Sequence, residues 1–99
     1  MRLSQADRDL IKTTVADRLG SKASVRLFGS RTDESRRGGD IDLFIETPEA
    51  VEGRLGLECA LAVELERAFE GRHIDVVITA PNLPERPIDA IARSTGIML

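Results

Sequence analysis

Tryptophan and tyrosine are absent from this chain, and three phenylalanines are its whole aromatic content. Platforms on which successive bases could stack are therefore missing, and a formal net charge of −3 argues against the basic balance of a broad nucleic-acid binder. There is one cysteine, Cys59, so no internal disulfide can form. No apolar run approaches the roughly 18 residues of a membrane span, and none has the pattern of a secretory leader. A soluble, reducing, cytoplasmic setting without a membrane partner is the expectation. The sequence holds no internal repeat, low-complexity tract or interdomain linker. What it does hold, 99 residues with 41% hydrophobic content, fits one domain over 1–99 with a single core and no room for a second, substrate-binding domain.

Hydrophobic spacing assigns the elements. Residues Ser4 to Leu19 read as a helix, with Ser4 as its cap, Asp7 at the third helical position, and Leu10, Ile11, Val15 and Leu19 as its apolar stripe. Gly20 supplies the stop. Ser24 to Phe28 is short and apolar enough for a strand, and Asp40 to Ile45 for a second. Thr47-Pro48 then offers a cap and a first-turn proline for a long helix running to Gly71, its boundary loosened by Gly53 and Gly56. Val51, Leu55, Cys59, Ala62, Leu65 and Phe69 follow helical spacing, with Leu57 and Leu61 widening the face, so Cys59 reads as packing rather than chemistry. Ile74 to Ile78 form a third strand, and strand, helix, strand in that order favours a right-handed crossover to a parallel neighbour. Ile88, Ile91 and Ala92 imply a terminal helix stopped by Gly96. Ile97, Met98 and Leu99 suit a core cover, a sheet-edge pairing or a partner contact, and the sequence does not choose among them.

The chemistry gathers in VRLFGSRTDESRRGGDIDLFIE, from Val25 to Glu46. Asp40 and Asp42 alternate on one strand, so both side chains leave the same face about 6.7 Å apart, while Ile41, Leu43 and Ile45 take the other. If the third strand runs parallel from a similar height, Asp75 joins Asp42 on that face. Three carboxylates in one patch repel unless cations neutralise them, which points to a divalent metal site. Gly29 alone reads as an ordinary turn glycine, and the charges of Arg31 to Gly39 as solvated surface. His73, the one histidine, reads as exposed or structural, having no fixed carboxylate partner in sequence.

Gly29-Ser30, nine intervening residues, Asp40-Ile41-Asp42-Leu43 and a further Asp75 resemble the signature of the minimal nucleotidyltransferases of the DNA polymerase β superfamily. The resemblance covers nearly the whole chain, because the order helix, strand, signature loop, strand, long helix, strand, terminal helix is also that family's. It implies an α/β (α+β) nucleotidyltransferase fold: a small mixed sheet of three to four strands packed by helices. It implies too that Asp40, Asp42 and Asp75 are the catalytic, metal-holding residues for two Mg²⁺ ions, with Asp75 helping to activate the attacking hydroxyl. Gly29 and Ser30 would contact the β- and γ-phosphates of ATP, and Arg31 would add positive charge there. The interval before Asp40 is one residue shorter than in many members, and Gly38-Gly39 replaces the small or polar residue frequent in them; both departures bear on loop contacts more than on the metal site.

Members of this size resemble antitoxins that act beside a helical HEPN-type toxin and transfer AMP from ATP to one of its tyrosines. The implied function is transfer of a nucleoside monophosphate to a hydroxyl of such a protein partner. Two other functions remain open from sequence: a nucleotide-binding module that acts on a partner by contact alone, and transfer to a small molecule, for which enzymes generally add an acceptor-binding domain.

Overall fold

The computed structural model describes residues 3–28 and 41–99. Helix α1 (Gln5–Leu19) starts where the sequence places it. The Ser4 hydroxyl accepts the Asp7 N–H at 3.0 Å and the Asp7 carboxylate accepts the Ser4 N–H at 3.1 Å, a reciprocal pair that satisfies two donors a helix start otherwise leaves open. Ile11 and Val15 are buried, whereas Leu10 is 38% exposed and drops out of the expected stripe.

Strand β1 (Ser24–Phe28) pairs antiparallel with β2 (Ile41–Glu46), and β3 (Ile74–Thr79) adds to β2 in parallel after helix α2 (Arg54–Ala68). Helix α3 (Pro87–Thr95) follows, and β4 (Ile97–Met98) returns antiparallel to β1. The sheet order is β3-β2-β1-β4, a four-stranded mixed sheet of the kind expected. Residues 97–99 thus take the sheet-edge pairing, with the Leu99 N–H donating to the Val25 carbonyl at 2.9 Å, and the Leu99 side chain also covers the main core. Gly96 allows this sharp return, because a Cβ there would lie 2.5 Å from the Ala92 carbonyl oxygen and 3.0 Å from the Arg26 Cβ.

Strand alternation divides the buried residues between the two faces of the sheet. Val25, Leu27, Ile41, Leu43, Ile45, Ile74 and Ile78 meet Ile11 and Val15 of α1 and Leu61 and Leu65 of α2 in the main core. On the other face Phe28 and Phe44 pack with Ala92 of α3 and the part-buried Val77. Ala92 seats α3, while Ile88 and Ile91 are 37% and 55% exposed. Among the described residues no helix is long and apolar enough to cross a membrane.

Two expectations for the long helix fail. The helix starts at Arg54, after Gly53 with φ 65°, and not at Pro48. Asn82 explains the delay: its side chain takes the Val51 N–H at 2.9 Å and donates to the Val51 carbonyl at 2.8 Å, using both backbone groups that a helix would need. The buried line is Glu58, Leu61 and Leu65, so Leu55 (74% exposed) and Cys59 face outward, and Cys59 is not a packing residue. Glu58 is buried because β3 is an edge strand. Its carboxylate accepts the Ile78 N–H at 2.7 Å, Arg86 donates to the Ile78 carbonyl at 2.9 Å, and Glu66 accepts the Ile74 N–H at 3.0 Å. Side chains therefore pair backbone groups that an open edge would leave to another chain.

Candidate active site

The parallel pairing of β2 with β3 sets Asp42 directly beside Asp75, in the register Ile41↔Ile74, Asp42↔Asp75, Leu43↔Val76. Neighbouring strands lie about 4.8 Å apart, so the two carboxylates leave adjacent backbone positions on the face that bears Phe44 and Val77. Asp42 is partly buried and Asp75 exposed. The same end of the sheet carries Phe28, which pairs with Asp42 across β1 and β2. Phe28 and Ile41 are the described residues that flank 29–40. Asp40, Gly29, Ser30 and Arg31, the other residues singled out from sequence, lie outside the described residues.

Among the described residues, no group of three or more His, Cys, Asp or Glu side chains is disposed to hold a metal ion. Asp42 and Asp75 nonetheless supply two carboxylates from adjacent positions. Hard oxygen donors of this kind are what Mg²⁺ takes, usually one or two from the protein and the rest from phosphate and water. The donor chemistry fits the ion.

His73, expected to have no fixed carboxylate partner, has Asp75 two residues on and Glu66 of α2 beside it. Its Nε2 lies 3.0 Å from Asp75 Oδ1 and its Nδ1 3.4 Å from Glu66 Oε2, with the imidazole 57% exposed. Exposure is as expected; the partners arise because residues 73 and 75 share a strand side and α2 brings Glu66 across.

The family model of the nucleotidyltransferase domain matches residues 8–95. The chain belongs to the nucleotidyltransferase domain family. Its fold is also that of solved toxin–antitoxin structures. The MntA–HepT toxin–antitoxin is 18% identical at a TM-score of 0.68, covering 96% of this chain and 70% of the other. A toxin–antitoxin with AMP-PNP is 19% identical at 0.69, covering 93% and 70%. The tri-AMPylated Shewanella oneidensis HEPN toxin in complex with MNT antitoxin is 18% identical at 0.69, covering 97% and 71%. Among curated proteins none matches.

The far end of the same face in this nucleotidyltransferase is charged in a different way. Glu46 accepts from Arg26 and, at 2.9 Å, from Arg93, which also reaches Glu85 at 2.9 Å. Burial pushes the Glu46 carboxyl up, but the hydrogen bonds from Arg93 and Arg26 outweigh it and hold the group below the usual carboxylate range. Hydrogen bonds from Glu85 and Glu46 in turn raise Arg93. The Arg93 guanidinium stands 5.6 Å from the centre of the Phe44 ring. From end to end the face reads carboxylate pair, aromatic core, balanced ion-pair network. Sequence reasoning missed this network, although Arg26 inside an apolar strand and Glu46 at the end of the next were its visible signal. A groove of about 680 Å³ lined by Arg18, Cys59, Val63, Glu64 and Arg67 lies on the α1/α2 side of the sheet, away from the carboxylate pair, and Arg18 is paired to Glu64 at 2.8 Å within it.

Proposed function

We propose that this nucleotidyltransferase transfers AMP from ATP to a hydroxyl of a partner protein, and that the partner is a HEPN-type toxin for which the chain is the cytoplasmic antitoxin. The observation that carries the reading is the register of β2 and β3, with Asp42 beside Asp75 in a chain whose family match spans 8–95. Structures of like fold support the rest, one solved with AMP-PNP and one with a tri-AMPylated HEPN toxin.

In this reading Asp40, Asp42 and Asp75 hold two Mg²⁺ ions, Gly29 and Ser30 meet the β- and γ-phosphates, and Arg31 adds positive charge. Mg²⁺ held there would supply charge neutralisation of the triphosphate for an in-line displacement. Asp75 would help to activate the acceptor hydroxyl, whose proton is lost as the bond to the α-phosphorus forms. Pyrophosphate leaves, and the protein hydroxyl becomes a phosphodiester to adenosine.

Incubation of the chain with ATP, Mg²⁺ and a HEPN-type protein encoded beside it, followed by intact mass, tests the proposal. The expected result is one or more adenylyl groups added to the partner's tyrosine. A stable complex with no mass change and no ATP consumption would favour action by contact alone and end the catalytic reading. With Asp75→Asn, nucleotide binding should persist better than turnover, because a residue serving the attacking hydroxyl acts mainly in the transition state.

A further inference from the structure

We infer that His73 is a positioning residue for the carboxylate of Asp75, an inference that rests on the metal and nucleotide site proposed above. Backbone and side-chain contacts converge on this one histidine. Its carbonyl accepts the Ile41 N–H at 3.0 Å, tying its backbone to β2 immediately before Asp42. Its Nε2 lies 3.0 Å from Asp75 Oδ1, and its Nδ1 3.4 Å from Glu66 Oε2. That same Glu66 oxygen accepts the Ile74 N–H at 3.0 Å, so Glu66 is itself fixed to the strand between His73 and Asp75.

The arrangement answers a problem that the register creates. Two carboxylates at adjacent positions repel and tend to splay, and an aspartate 56% exposed has little packing to oppose this. A ring nitrogen bonded to Oδ1 restricts rotation of the Asp75 carboxylate and leaves Oδ2 for a cation. Outer partners of this kind fix the orientation of ligating groups and sharpen a site that exposed side chains would otherwise hold loosely.

The test is calorimetric titration of Mn²⁺ in the presence of AMP-PNP, with AMP transfer to the HEPN-type partner measured in parallel, on wild type, His73→Ala and His73→Gln. His73→Ala should weaken Mn²⁺ binding on the order of tenfold and lower kcat with little change in the KM for ATP. The folding midpoint should stay within about 2 °C of wild type, because one exposed pair contributes little to stability. His73→Gln should recover most of the affinity, since its amide can donate to Oδ1. Equal Mn²⁺ affinity in wild type and His73→Ala overturns the inference, as does a loss that His73→Gln fails to rescue. A wild type that binds Mn²⁺ but transfers no AMP overturns the proposed function alone, and the affinity comparison still decides the role of His73. A wild type that binds no Mn²⁺ overturns both.

Discussion

Replacing Phe44 by alanine removes the more deeply buried of the two phenylalanines between the sheet and α3. Phe44 is fully buried and packs with Phe28, Val77 and Ala92, under the guanidinium of Arg93. A buried Phe→Ala change costs about 3–5 kcal/mol, combining lost burial with the cavity left behind. Loss of the ring beneath Arg93 adds little to this, since Arg93 is 37% exposed. Domains of this size have about 5–15 kcal/mol in all, so the variant should unfold at markedly lower urea, and its melting temperature should fall by at least about 12 °C. The chain lacks Trp and Tyr, so far-UV circular dichroism is the suitable probe. An unchanged slope of free energy against urea would assign the effect to the native state. Phe44→Leu should recover most of the loss, staying within about 1.5 kcal/mol of wild type. A loss below about 1 kcal/mol for Phe44→Ala would refute the second core, and with it the idea that α3 is seated on this face of the sheet by apolar packing.

Glu46 is held below its unfolded pKa, so its pairing with Arg93 and Arg26 stabilises above the unfolded value and fades as pH falls through the folded one. Wild type should therefore exceed Glu46→Gln by on the order of 1 kcal/mol near neutrality, after allowance for screening, and the gap should close in acid. A gap independent of pH in urea titrations would contradict this. Glu58→Ala leaves the Ile78 N–H without its acceptor, and Arg86 with Asp89 but not Glu58, and should cost about 2–3 kcal/mol, with faster hydrogen exchange at the Ile78 amide; unaltered exchange would count against the edge-sealing role. Ser30→Ala should weaken AMP-PNP binding on the order of 1–3 kcal/mol by calorimetry, and an unaltered affinity would remove Ser30 from the phosphate site.

Local signals were legible in the sequence where local physics decides. Ser4 and Asp7 cap α1 on their own, and the alternation of Ile41, Leu43 and Ile45 against Asp42 set the face of β2 without help from the rest of the chain. The parallel pairing with β3 followed from the intervening helix, and the adjacency of Asp42 and Asp75 from strands of similar start. The phase of α2 was not legible. Leu55, Cys59 and Val63 make as good an apolar line as Leu57, Leu61 and Leu65, and the choice between them is made by the need of edge strand β3 for Glu58. Its start was hidden for a similar reason, because the Asn82 clamp on Val51 spans 31 residues. Phe44 sits among alternating carboxylates, and only the arrival of α3 on that side makes its burial intelligible.

If Asp42 and Asp75 form a cation-dependent nucleotide site, calorimetric titration of Mg²⁺ with AMP-PNP into wild type and Asp42→Asn shows it most directly. Wild type should bind the nucleotide only with the metal present, while Asp42→Asn should lose that dependence and keep or slightly raise its melting temperature, since one of two repelling charges is gone. Metal-dependent binding of equal strength in the two proteins would contradict the account.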